Sequence, residues 1–105
     1  YNAQFGRASL PRSFSLSQNA PNPFNPSTTI GYCIPQGETV DVSLKIYNIR
    51  GGLVRTLVNA TREPGAYEVY WDGTDKKGRR MSSGIYIYRI EAGSFVQTRK
   101  MVLLK

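Results

Sequence analysis

The sequence contains no histidine and a single cysteine, Cys33. Without imidazole, the chain has no histidine-dependent serine or cysteine triad, no histidine-based zinc site and no histidine general base near neutral pH. One cysteine cannot form an internal disulfide, and Cys33 lies in an alternating apolar stretch that favours a small buried side chain over a reactive thiol. We therefore predict that the protein is not an enzyme and carries no metal or other cofactor.

Long apolar runs are also missing from the sequence. No segment approaches the roughly 20 apolar residues that cross a bilayer, so no transmembrane segment is predicted. The N-terminus lacks a signal-peptide pattern and starts at Tyr1 rather than Met, from which we expect a processed or excised product. The 105 residues suit one domain with a single core.

From Thr28 onward, apolar and polar residues alternate with a period of two, and no helical stripe is present. The predicted strand segments are residues 28–34, 40–49, 53–58, 67–71, 84–92 and 98–105, and the short alternation around Phe14 and Leu16 adds one more. About seven short strands predict an all-β fold, an immunoglobulin-like antiparallel β-sandwich over residues 14–105 that follows an extended N-terminal arm over residues 1–13. A closed barrel is the alternative architecture.

The alternation also predicts which side chains form the core. Inward positions in the third segment are Val40, Val42, Leu44 and Ile46. Trp71, the only tryptophan, is predicted at the centre of the core because an indole fills more space between two sheets than any other side chain present. The buried face of residues 85–92 stays open, because Ile85 and Ile87 compete with Tyr86, Tyr88 and Ile90.

Residues 21–32, "PNPFNPSTTIGY", place two Asn-Pro steps directly before a strand. Proline fixes its own φ and restricts the preceding residue to extended conformations, so Pro23 and Pro26 predict a rigid corner. Phe24, between the two steps, is predicted to plug the open end of the sandwich. A proline-rich ligand for a partner's aromatic groove is the less favoured alternative.

The loop "WDGTDKKGRR" contains two aspartates and two glycines. Lysines occupy the positions where a calcium loop needs further oxygen ligands, so a structural turn is favoured over a calcium site. Asp72 is predicted to accept backbone N–H bonds, and Gly73 and Gly78 supply positive-φ positions. Gly84, where the next strand segment starts, completes the set of structural turn residues.

Positive charge is in excess, with 14 basic and 7 acidic residues and a net charge of +7. Such a surface attracts anions, and an anionic surface glycan is a possible partner. No nucleic-acid-binding motif accompanies the basic residues, so no nucleic-acid partner is expected.

Three motifs in order carry a family resemblance: "LSQNAPNPFNPSTTIGY" at 16–32, "YEVYWDGTDKKGRRMSSGIYIYRIEAG" at 67–93 and "TRKMVLLK" at 98–105. Together they resemble the C-terminal sorting domain of type IX secretion cargo, a domain related to the immunoglobulin-like module of the flagellar hook-capping protein. Two departures are visible, Ala20 where an aromatic residue is common and Ile34 where leucine is common. The resemblance implies a β-sandwich at the end of an extracellular protein, which the outer-membrane secretion machinery recognises.

The same resemblance implies that the last segment contains the signal that the secretion machinery recognises. The residues implied in translocon recognition are Arg99, Lys100, Met101, Val102, Leu103, Leu104 and Lys105. Met101 and Leu103, with Leu104 as a third candidate, are predicted to pack inward, while Arg99, Lys100 and Lys105 stay accessible. The expected localisation is secreted, either extracellular or at the cell surface.

Tyr1, Ala3 and Phe5 alternate within the arm as a short strand would. We predict that this segment docks either along its own domain or on the sheet edge of a neighbouring copy, and docking on a neighbour would give a head-to-tail filament. The function classes left open are therefore a sorting and attachment module, a structural filament subunit, and a carbohydrate-binding accessory domain. Only abundant tyrosine and Trp71 support the last of these.

Overall fold

The computed structural model describes residues 10–105, and within them the chain forms seven strands in two antiparallel sheets. The strands are β1 (Ser15–Leu16), β2 (Thr28–Ile34), β3 (Val40–Asn48), β4 (Leu53–Arg62), β5 (Gly65–Trp71), β6 (Gly84–Ala92) and β7 (Phe95–Leu103). One sheet has the order β1-β2-β5 and the other the order β4-β3-β6-β7. The predicted all-β sandwich is confirmed, and the closed barrel is wrong because the two sheets stay separate.

The core lies between the two sheets and is built from alternate residues of the longer strands. In β2, β3 and β7, buried and more exposed positions alternate along the strand, as a half-buried strand requires. On β6 the inward residues are Tyr86, Tyr88, Ile90 and Ala92. The buried face of β6, which the sequence did not decide, is therefore the face that carries the tyrosines, and Ile85 and Ile87 point away from the core.

Several strand boundaries differ from the predicted segments. β4 continues to Arg62 and β5 begins at Gly65, so only two residues separate strands that the sequence pattern placed further apart. β7 starts at Phe95 rather than at Thr98. Ladder pairing extends each strand into less regular sequence, and β4 also has a register shift opposite Leu44 and Lys45, which disturbs its period-two pattern.

One end of the sandwich is closed by a cluster of aromatic side chains. Trp71 is fully buried, and its ring centroid lies 5.6 Å from those of Phe24 and Tyr86. The indole Nε1–H donates a 2.8 Å hydrogen bond to the Thr74 carbonyl. Phe24 is 1% exposed and therefore fills this end of the core.

Candidate functional site

Residues 18–24, which we call the covering segment, lie along the free edge of β7. The amide N–H of Phe24 donates to the Val102 carbonyl (3.0 Å), and the N–H of Leu104 donates back to the Phe24 carbonyl (2.9 Å). The Asn22 Oδ1 accepts from the N–H of Val102 at 3.0 Å, and the Gln18 side-chain amide donates to the Lys100 carbonyl at 2.7 Å. Edge strands expose unpaired backbone groups, and here the covering segment bonds those of Lys100, Val102 and Leu104.

A buried polar network holds the covering segment on the domain. The Asn19 side-chain amide donates to Thr28 Oγ1 (3.0 Å) and to the Pro21 carbonyl (3.1 Å). The Tyr88 hydroxyl accepts from the N–H of Asn19 at 2.8 Å and donates to the Ser17 carbonyl at 2.6 Å. Burial raises the pKa of Tyr88, against a smaller opposing effect of the Asn19 N–H bond. The hydroxyl is therefore neutral at physiological pH and free to donate.

The structure separates the predicted recognition residues of β7 into two sets. Met101 and Leu103 are buried, and Val102 points to the opposite face. Leu104 is 49% exposed, so its candidacy as an inward residue is wrong. The exposure of Leu104 continues the alternation of β7, in which Met101 and Leu103 point inward and Val102 and Leu104 do not.

The three basic residues of this segment have different surroundings. Lys100 and Lys105 are exposed, whereas Arg99 is half-buried and its Nε–H donates a 2.6 Å hydrogen bond to the Leu16 carbonyl. The backbone N–H of Lys105 donates to Ser83 Oγ at 3.0 Å. Arg99 thus joins β7 to β1, and the accessible cations of the segment are Lys100 and Lys105.

The loop after Trp71 is held by its own carboxylates. A hydrogen bond from the Thr74 hydroxyl is the main cause of the lowered pKa of Asp72, to which the Arg55 guanidinium at 3.2 Å also contributes. The N–H of Arg79 donates to Asp75 and is the main cause of the lowered pKa of that carboxyl. Within residues 10–105, no group of carboxylate and thiol side chains is arranged to hold a metal ion.

Gly73 joins this loop to the proline corner. Its φ of +80° is in the left-handed region, and a Cβ built there would lie 2.7 Å from the Pro26 carbonyl oxygen. Pro23 and Pro26 are both exposed at the surface of the corner. A cleft of about 200 Å³ opens beside it, lined by Asn25, Pro26, Asp72, Gly73, Arg80, Met81, Leu103 and Lys105. The predicted turn residues and the last strand therefore meet at the same end of the sandwich.

Sequence reasoning missed the side chains that join the first motif to the last. Gln18, Asn19, Asn22 and Tyr88 showed only as polar or strand-forming residues, since nothing local in the sequence identifies partners about 80 positions away. Trp71 is buried and offers no surface for stacking on a sugar. Tyr1, Ala3 and Phe5 lie outside the described residues. Across residues 10–105, no helical segment has the length and hydropathy that a membrane crossing needs.

Comparison with known proteins identifies a family and similar solved structures. The family model described as FlgD Ig-like domain matches residues 27–94. Dimeric latent PorU from Porphyromonas gingivalis is similar over 90% of this chain, with 23% identity and a TM-score of 0.69. PorZ, described as an essential bacterial surface component of the type IX secretion system of the same organism, is similar over 89%, with 21% identity and a TM-score of 0.60.

The chain spans only 10% of the PorU chain and 12% of the PorZ chain, so the likeness concerns one domain of each. At these identities it shows a shared fold. No curated protein sequence matches the chain.

Proposed function

Because the chain belongs to the FlgD Ig-like domain family, we propose that it is a non-enzymatic immunoglobulin-like module that acts through protein–protein contacts. Its role is to direct an attached protein through the type IX secretion machinery of the outer membrane and to keep it at the cell surface. This module works outside the cell and needs no cofactor.

One observation supports this proposal most strongly, the union of the first and last motifs at the edge of β7. Asn22 and Phe24 bind the backbone of Val102 and Leu104, so the proline-rich motif and the C-terminal motif form one continuous surface. Folding therefore decides whether the two motifs lie together. A translocon that recognises this surface would select folded modules. The similar folds of PorU and PorZ are consistent with a role in the same secretion system.

An export assay tests the proposal. The 105-residue chain fused to the C-terminus of a periplasmic reporter is expected to bring the reporter to the surface of a host with a type IX system. Deleting residues 100–105 is expected to stop export, because it removes both the buried Met101 and Leu103 and the exposed Lys100 and Lys105. Surface labelling of intact cells is the measurement.

A second variant distinguishes loss of recognition by the secretion machinery from loss of folding. Leu104→Ser with Lys105→Ser changes only exposed side chains and keeps the backbone groups that bind Phe24 and Ser83. We expect this variant to melt at the parental temperature and to lose export. Undiminished export of the 100–105 deletion would contradict the addressing role.

A structural filament subunit is the second candidate, and the free edge of β4 favours it. β4 is ten residues long and forms the outer strand of the four-stranded sheet. Within residues 10–105, β4 accepts a backbone hydrogen bond from outside its pairing with β3, donated by the Lys76 N–H to the Val54 carbonyl. Most of this edge can therefore accept an added strand. The alternating residues Tyr1, Ala3 and Phe5 of a neighbouring copy would supply that strand.

Deleting residues 1–9 tests strand addition and leaves the Pro11 carbonyl in place to accept from the Gln36 N–H (3.1 Å). For a filament subunit, light scattering is expected to show loss of the assembly and a monomer with an unchanged melting temperature. An assembly of undiminished mass after the deletion rules strand addition out.

A further inference from the structure

The outer face of the four-stranded sheet carries a continuous apolar patch at the end near the β3–β4 turn. Its members are Tyr47, Ile49, Leu53, Ile85, Ile87 and Val102. Tyr47 pairs with Leu53 on one side and with Ile87 on the other, and Ile85 pairs with Val102. Cross-strand partners lie on the same face, so the five strand residues are neighbours across all four strands, and Ile49 follows β3 in the adjoining turn.

This patch is exposed where an outer sheet face is usually polar. Ile49, Leu53 and Ile85 are 70%, 50% and 48% exposed. The opposite end of the same face is polar, with Asp41, Ser43, Asn59 and Glu91 around a shallow depression. Isolated exposed apolar residues need no explanation, but five together on one face, with Ile49 in the adjoining turn, indicate a docking surface.

Basic residues surround the patch. Lys45 and Arg89 form the neighbouring cross-strand pair, Lys100 lies opposite Ile87, and Arg50 follows Ile49 in the turn. Arg89 is paired with Glu91 at 2.9 Å, while the described residues form no ion pair with Lys45, Arg50 or Lys100. Three uncompensated cations on the border fit a partner with carboxylates at the matching positions.

We propose that this patch and its basic border are the surface with which the module docks on the secretion machinery, and that the partner is a protein with an apolar surface edged by carboxylates. The proposal rests on the proposed function and specifies it. Lys100 and Val102 belong to both the patch region and the segment implied in recognition, so the docking face is continuous with the proposed address. A second copy placed face to face is disfavoured, because the basic borders of two copies would meet.

Export of the reporter fusion tests the apolar part of this surface. Ile49→Ser, Leu53→Ser and Ile85→Ser combined are expected to lower surface reporter at least about tenfold, since a few central apolar contacts dominate most protein interfaces. The matched control is Tyr70→Ser with Val96→Ser, which changes side chains of similar exposure, 64% and 51%, outside the patch. The control is expected to export like the parent, and all variants are expected to keep the parental melting temperature.

Charge reversal tests the border independently of the apolar residues. Lys45→Glu with Lys100→Glu is expected to reduce export at least about tenfold, because like charges placed across an interface are strongly unfavourable. Its control is Arg12→Glu with Lys77→Glu, which makes the same change in net charge at exposed positions away from the patch.

Each alternative outcome overturns the proposal in a recognisable way. If the parent fusion is not exported, the proposed function fails and the docking assignment fails with it. Export of the parent and of both patch variants at equal levels overturns the docking surface alone. Sedimentation of the purified chain with vesicles of phosphatidylcholine and phosphatidylglycerol, lost in the serine variant, would assign the face to lipid. A dimer that the serine variant dissociates would assign it to a second copy.

Discussion

Trp71→Ala is expected to lower the free energy of unfolding by about 3–5 kcal/mol, the cost of removing a fully buried large aromatic side chain from a packed core. Trp71 is 0% exposed and contacts both Phe24 and Tyr86, so the cavity would open at the closed end of the sandwich. The loss is a large fraction of the roughly 5–15 kcal/mol that stabilises a typical domain. A thermal melt should shift down by more than about 10 °C.

Tyr70→Ala is the matched control for that substitution. It removes an aromatic side chain from the adjacent position, where Tyr70 is 64% exposed. The expected change in stability is within about 0.5 kcal/mol, as for most surface substitutions. Similar melting temperatures for the Trp71→Ala variant and the parent would show that the core does not depend on the indole.

Gly73→Ala is expected to destabilise the domain by on the order of 2–4 kcal/mol, from two costs that add. The first is the left-handed backbone at φ +80°, and the second is a Cβ only 2.7 Å from the Pro26 carbonyl oxygen. Both groups belong to backbone segments, so relief requires the loop and the proline corner to move apart. Chemical denaturation measures the loss, and export of the fusion should fall with it.

Gly78→Ala provides a control with the same backbone conformation. Its φ is +81°, but nothing lies within 4 Å of a Cβ built there. This variant is expected to lose only about 1–2 kcal/mol, the cost of the left-handed conformation itself. Equal losses for the two glycine variants would show that the approach of Gly73 to Pro26 has no energetic consequence.

Local patterns predicted the strands of this fold well where one face is apolar and the other polar. β2 coincides with its predicted segment, and β3 ends one residue earlier than predicted. The pattern was ambiguous in β6, because Ile85 and Ile87 are apolar on the outer face while Tyr86 and Tyr88 fill the core. That ambiguity reflected a real property of the strand, which is apolar on both faces next to the patch.

Pairing between distant segments could not be predicted from local patterns. Asn22 and Phe24 were recognisable as parts of a rigid corner, but their hydrogen bonds to Val102 and Leu104 depend on the whole sandwich. Such long-range contacts are specified by the geometry of the assembled sheets rather than by sequence periodicity.

The contact between the covering segment and β7 also constrains how fast the domain can form. Hydrogen bonds from Gln18 to Lys100 and from Asn22 to Val102 span 82 and 80 positions, and the neighbouring bond between Leu16 of β1 and Arg99 spans 83. Loop-closure entropy makes such contacts costly to establish early, and folds dominated by them reach the native state in milliseconds to seconds. The nascent chain cannot complete its sandwich until residues 99–104 have been synthesised. Until then one edge of β6 lacks its partner strand and the core lacks Met101 and Leu103, which leaves a time window for chaperone binding.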